Sequence, residues 1–349
     1  MSAGSAGEAG RPGADGLDLA VLERFFADNV PGFRGGLTTE LLHGGRSNLT
    51  YKATDGANTW VVRRPPLGGL TPSAHDMARE YRVVSALADS AVPVPRAVAL
   101  ADDTLLGVPF SVVEYVPGTV IRTREQLHRL PDHRIAGCAH ALVDTLARLH
   151  AVDPAEIGLA DFGRPEGYLA RQVARWYDQW QRVRTRELAD IDRLYRRLAE
   201  TCPPESGFAI VHGDFRIDNA ILAPDDPEEV RAVVDWEMAT LGDPLADLGL
   251  HVAYADPAFA PVLAGAAAST SERLPRPGEL ARRYAETSGR DVTGLGFHIA
   301  LGYFKTAVIA EGIHARFRGG LTRGSGFETV GRAPAPLAAA GLRALTGSV

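Results

Sequence analysis

The sequence predicts an α+β fold in two lobes, with a small antiparallel-sheet lobe at the N-terminal end and a larger, mostly helical C-terminal lobe. Three observations carry this. Short Thr-, Val- and aromatic-rich runs separated by turn residues fill residues 37–116, long runs with helical apolar spacing dominate from about 132, and one β interruption at 208–236 breaks the helical part. A chain of 349 residues with 45% hydrophobic content is also longer than one compact core usually serves.

Residues 1–16, MSAGSAGEAGRPGADG, hold almost no apolar bulk and no signal-peptide core, and are expected to form a disordered tail. Residues 17–116 then form the first lobe and its linker strand, and residues 117–349 the second. In the first lobe, DLAVLERFFADNV places Leu19, Leu22, Phe26 and Val30 on one helical stripe. LTTELLH (37–43), LTYKAT (49–54) and TWVVRR (59–64) follow as a three-stranded antiparallel meander, joined through GGRSN and DGAN. Thr71 before Pro72 is expected to open a helix running through MAREYRVVSALAD. PVPRAVAL and PFSVVEYV resume the strand pattern, up to the Pro-Gly at 117–118. The second lobe reads as helices over HRIAGCAHALVDTLARLH, GYLARQVARWYDQWQRVR and ELADIDRLYRRLAE, then strands FAIVH, NAIL and RAVVDW, then further helices.

Bulk chemistry excludes several classes. A net charge of -6 gives no general attraction to nucleic acid or to an anionic membrane, and no apolar run approaches the ~20 residues that span a bilayer. Cys138 and Cys202 are too few for a disulfide framework and lack metal-ligand spacing, which fits a cytoplasmic location. Lys52 and Lys305 are the only lysines among 37 basic residues, so any mechanism that needs a lysine has two candidates. A monomer or homodimer is expected, with a small molecule rather than a macromolecule as partner.

VHGDFRIDN (211–219) and VVDWEMATLGDP (233–244) carry the chemistry. Charged groups beside apolar strands are costly unless paired or metal-bound. Asp214 and Asn219 share one tight loop between two strands, and Asp235 follows sixteen residues later, after the next strand. One carboxylate to orient an acceptor hydroxyl, with an amide and a second carboxylate for Mg²⁺, is the set that phosphoryl transfer requires. The alternative is polar residues that merely cap turns.

HxDxxxxN followed by a strand and Asp matches the catalytic pattern of the protein-kinase-like fold. The particular form HGDFRIDN, VVDWEMATLGDPLADLG resembles the aminoglycoside phosphotransferase family, closest to the phosphotransferase domains associated with acyl-CoA dehydrogenases. The resemblance runs from about 37 to 320. It implies a bilobal ATP- and Mg²⁺-dependent enzyme, with Asp214 as the catalytic base and Asn219 and Asp235 as metal ligands. It makes His212 a packing residue of the loop, and Asp247, with Asp243, a brace behind it. Arg216 stands where related kinases carry a cationic residue that neutralises charge on the transferring phosphoryl group; a solvated loop arginine is the other reading.

For the nucleotide, HGGRSN matches the family's phosphate loop, which makes Gly44, Gly45, Arg46, Ser47 and Asn48 candidates for phosphate contact, although a plain hairpin turn has the same look. Strand TWVVRR lacks the usual kinase lysine. The family commonly has arginine there, so Arg63 is the phosphate-binding candidate, with Arg64 on the opposite face. Glu80 is the helix acid expected to pair with Arg63. Backbone groups of Glu114, Tyr115 and Val116 are expected to meet the adenine edge.

The acceptor is less determined. The segment from Tyr168 to Glu200 holds eight arginines against five acidic residues, which disfavours a polycation. An anionic or amphipathic acceptor, such as a hydroxyacyl-CoA or a related hydroxylated metabolite, would suit Arg171, Arg175, Trp176 and Trp180. A solvated arginine face over core tryptophans fits equally. An antibiotic phosphotransferase for aminoglycosides or macrolides, and a catalytically inactive nucleotide-binding protein, are the alternatives. A protein kinase is disfavoured by the lack of DFG and APE motifs.

Overall fold

A computed structural model describes residues 17–42, 48–65, 76–263, 265–322 and 326–347. The chain divides into two compact units: residues 1–88 with 94–116, and residues 89–93 with 117–349.

In the first unit, helix α1 (Leu19–Asn29) starts at Asp18, whose carboxylate accepts from the N–H groups of Ala20 and Val21. Leu22, Phe25, Phe26 and Val30 are buried, while Leu19 is only half-buried. Strands β1 (Thr38–Leu41), β2 (Leu49–Thr54) and β3 (Thr59–Arg64) form the antiparallel meander, and β5 (Phe110–Glu114) then pairs with β3, with β4 (Ala97–Ala101) outside it. The β4 strand begins only at Ala97 because Pro93 and Pro95, with no N–H to donate, precede it. Alternation along β3 buries Trp60, Val62 and Arg64 and leaves Thr59, Val61 and Arg63 half-buried on the other face. The buried face joins a core in which Phe26 meets Trp60 edge to face, ring centroids 5.4 Å apart, and Phe25 meets Phe110 at 4.9 Å. Helix α2 (Met77–Leu87) packs on β4 and β5 and is capped by Asp76, which accepts from the Arg79 N–H. The helix therefore begins at Met77 and not at the expected Thr71–Pro72, which lie outside the described residues, because Asp76 supplies the cap.

The second unit opens with a single helical turn, α3 (Arg124–Leu127), and continues through α4 (Asp132–Ala151), α5 (Tyr168–Val183) and α6 (Ala189–Glu200). Two separate two-stranded ribbons follow rather than three consecutive strands. Strands β7 (Ala220–Leu222) and β8 (Val230–Val233) form one, and β6 (Ala209–Val211) pairs with β9 (Thr240–Gly242), a strand the sequence reading did not assign. Helix α7 (Pro244–Ala253), the short α8 (Ala260–Leu263), α9 (Pro277–Ser288), α10 (Leu295–Arg318) and α11 (Pro334–Ala344) complete the unit. Helix α10 packs against α7, α5 and α11, and is buried nearly all round. No described helix is long and apolar enough to cross a membrane.

Candidate active site

The loop between β6 and β7 is held from behind. Asp247, in the first turn of α7, is 3% exposed and accepts from two successive backbone N–H groups, those of His212 and Gly213, the latter at 2.7 Å. His150 on α4 lies 3.4 Å from the same carboxylate, and Tyr284 on α9 lies 2.7 Å from the far ring nitrogen of His150. Burial holds His150 below its ordinary value, so it is neutral, donating through Nε2 to Asp247 and accepting at Nδ1. For Asp247, burial alone would raise the pKa, but His150, His212 and the loop N–H groups outweigh it and keep the carboxyl below its usual range. Asp243 caps α7, accepting from Leu245 N–H at 2.8 Å and from Ser206 N–H at 2.7 Å. His212 is fully buried, its ring between Phe215 and Trp236. Its Nε2 donates to the Val234 carbonyl at 3.0 Å and its Nδ1 accepts from Asp214 N–H at 3.2 Å, so the ring ties the loop to the end of β8. Gly213 has φ +84° and lies so close to Met238 that a Cβ would fall 2.8 Å from the Met238 carbonyl oxygen, which leaves no room for a side chain.

Asp214 projects from this braced loop with donors on both oxygens. Oδ1 accepts from the Tyr254 hydroxyl, and Oδ2 accepts from Arg216 Nε and Asn219 Nδ2, both at 3.2 Å. Burial would raise the Asp214 pKa. Arg216, the Tyr254 hydroxyl and Lys305 together overcome that and hold it below the usual carboxylate range, so the group is charged at neutral pH. Burial and the neighbouring carboxylate push Tyr254 well above its ordinary value, so it remains a donor. Arg216 is not a solvated loop residue. Its side chain is 16% exposed, bridges Asp214 and Asp218 (Nη1 to Oδ2, 2.6 Å), and lies 5.7 Å from the Tyr254 ring. Burial pushes Asp218 up to about 6, with Arg216 opposing and Asp214 adding to the shift.

Asn219 and Asp235 are set by the β7–β8 pairing. Asn219 Nδ2 donates to the Asp214 carbonyl at 2.9 Å as well as to its carboxylate, which fixes the amide orientation and turns Oδ1 away from Asp214. Val234 N–H donates to the Asn219 carbonyl at 2.9 Å, so Asp235 follows directly after the residue tied to Asn219. At φ 69° and ψ 57°, Asp235 is the one non-glycine residue with positive φ among the described residues. Such a conformation costs on the order of 1–3 kcal/mol and is common at functional sites. An amide oxygen and a carboxylate are hard oxygen donors, the chemistry that Mg²⁺ takes.

In the first unit, Arg63 Nη1 lies 2.7 Å from Glu80 Oε1, so β3 and α2 do bring this pair together. Asn48 is buried, while Gly44, Gly45, Arg46 and Ser47 lie outside the described residues. Of the three linker residues, Glu114 N–H already donates to Arg96 at 2.8 Å and Tyr115 N–H to Thr59 at 3.3 Å. That leaves the N–H of Val116 as the donor with no protein acceptor among the described residues.

Sequence reasoning missed Tyr254, His150 and Tyr284, and it did not place Lys305. That side chain on α10 donates to the Gly213 carbonyl at 2.6 Å, and the scarcity of lysine was the signal available for it. Two acceptor candidates fall away. Trp180 is fully buried, and Arg171 turns back to donate to the carbonyls of Arg164 and Glu166.

Residues 38–282 match the family described as phosphotransferase enzyme family. Acyl-CoA dehydrogenase family member 11 from Gallus gallus is 34% identical over 337 residues, covering 93% of this chain and 43% of that protein. Acyl-CoA dehydrogenase family member 10 from Mus musculus is 36% identical over 277 residues, 78% of this chain and 26% of that one. The chain thus spans less than half the length of these curated relatives. Among solved structures, a Ralstonia eutropha protein named as a candidate aminoglycoside phosphotransferase is 31% identical with a TM-score of 0.79, over 95% of this chain and 98% of that one. A mutant of aminoglycoside phosphotransferase APH(4)-Ia, in ternary complex with ADP and hygromycin B, gives a TM-score of 0.62 at 16% identity over 94% and 99% of the chains, a likeness of fold alone.

Proposed function

The chain belongs to the phosphotransferase enzyme family, and from that premise we propose that it moves the γ-phosphate of ATP to a hydroxyl group of a small molecule. Its fold is the protein-kinase-like α+β fold of the aminoglycoside phosphotransferases. The observation that carries the reading is the charged Asp214 carboxylate, held by three donors on a loop that also presents the Asn219 amide and adjoins Asp235.

In this reading the acceptor hydroxyl donates to Asp214. As the acceptor oxygen bonds to the γ-phosphorus and the bond to the bridging oxygen of ADP breaks, the hydroxyl proton passes to the Asp214 carboxylate and then to solvent. Asn219 and Asp235 would hold Mg²⁺, which supplies charge neutralisation for the phosphate oxygens when bound. Arg216 offsets charge on the transferring group. Arg63, kept in place by Glu80, takes the α and β phosphates in place of the usual lysine, with residues 44–48 as the phosphate loop and the 114–116 backbone for adenine. His212, Asp243 and Asp247 hold the loop without touching substrate. A hydroxyacyl-CoA or related hydroxylated metabolite is the favoured acceptor class, supported by the acyl-CoA in the relatives' names and by the arginine-rich α5–α6 segment.

The test pairs two variants. Asp214→Asn is expected to keep Mg·ATP binding and lose at least about a hundredfold in turnover, read by ATP consumption over a panel of hydroxyacyl-CoAs, aminoglycosides, macrolides and sugars. Undiminished turnover would remove Asp214 from the chemistry. Asp235→Asn is expected instead to weaken Mg·ATP binding, measured by calorimetry.

A further inference from the structure

Lys305 and Arg175 are unusual cations. The Lys305 Nζ lies 5.8 Å from the centroid of the Trp176 ring, and the Arg175 guanidinium carbon lies 5.8 Å from a ring of the same tryptophan. Neither has a carboxylate within 4 Å among the described residues, whereas Arg216, on the same loop as Gly213, has two. The carboxylates nearest Lys305 in effect, Asp214 and Asp247, are already engaged. Asp214 is held by Tyr254, Arg216 and Asn219, and Asp247 by two backbone N–H groups and His150.

Two like charges gathered on one indole repel each other, and a half-buried ammonium is stabilised by neutralisation more than a solvated one. Of the three Lys305 N–H bonds, one goes to the Gly213 carbonyl, the peptide immediately before Asp214. The ammonium therefore has donor capacity left, beside the candidate base. Trp176 is 8% exposed, so its ring is a fixed wall beside the two cations. Arg171 does not share in this arrangement, being tied to loop carbonyls on its own side of α5.

We propose that Lys305 and Arg175, gathered on Trp176, form an anion subsite of the acceptor site, taking a carboxylate or phosphate group carried a few bonds from the hydroxyl that meets Asp214. The inference rests on the phosphotransferase reading for its meaning, but its test needs no turnover. Ligand-observed NMR and thermal shift are measured with 3-hydroxybutyrate, with the uncharged 1,3-butanediol, and with inorganic phosphate, each alone and with saturating Mg·AMP-PNP. Saturable binding of the two anions but not the diol, persisting with nucleotide bound, is expected. Lys305→Met should weaken it by about tenfold or more, and the exposed Arg175→Gln by a smaller factor. Lys305→Arg, which keeps the charge, should restore most of it, and Arg175→Gln carries the test if Lys305→Met fails to fold. Equal binding of the diol, indifference to both substitutions, no anion binding, or loss of binding once nucleotide is present would each overturn the proposal. Asp214→Asn should leave anion binding intact, so a failure of the base assignment is seen separately in turnover.

Discussion

Tyr254 holds the oxygen of Asp214 that Arg216 and Asn219 do not. A hydrogen bond to a charged group is worth about 1.5–3 kcal/mol, and its loss would let the carboxylate turn. Tyr254→Phe keeps the ring against Phe259 and is expected to lower kcat roughly 10–100-fold with nucleotide affinity unchanged, checked by steady-state kinetics with the acceptor that the panel identifies. At this scale the sequence was legible where chemistry is local. Asp214 and Asn219 lie five residues apart and reveal each other. Tyr254 and Lys305 reach the loop across 40 and 92 residues, and nothing in the spacing of a tyrosine or lysine on an apolar helix marks that contact. The Arg63–Glu80 pair was legible only because a family pattern supplied the partner.

Among the elements, α7 does most to place the loop. Its first turn brings Asp247 against two N–H groups that would otherwise be buried without acceptors. Asp247→Asn replaces one acceptor oxygen with a donor, and should cost about 2–4 kcal/mol of unfolding free energy at pH 7, measured by urea denaturation. The longer strands and helices were readable from apolar period alone. Strand β9 was not, because three residues are too few to show alternation and its role comes from pairing with β6. Asp235 likewise carries no sequence mark of its left-handed backbone, a conformation usually left to glycine or asparagine.

Across the whole molecule, buried ionisable groups set the response to pH. His150 and His251 are both held below their ordinary 6.5 by burial. The unfolded chain therefore takes up protons first as pH falls through 6.5, and stability present above that value is lost on the acid side. Asp218, raised to about 6, binds its proton first in the folded state and offsets part of that loss between about pH 6 and 4. Asp214, Asp243 and Asp247, all held below 3.8, contribute stability above that value that is lost at still lower pH. Urea midpoints measured from pH 8 to 4 should fall accordingly, and His150→Gln should make the decline shallower. The two-lysine composition has a practical consequence of its own. Lys52 lies in the first unit, 5.1 Å from the Tyr115 ring, and Lys305 in the second, beside Trp176. Reductive ¹³C-methylation would thus give each unit a single side-chain reporter, each displaced by its own aromatic ring current, and one spectrum would report changes in the two units independently.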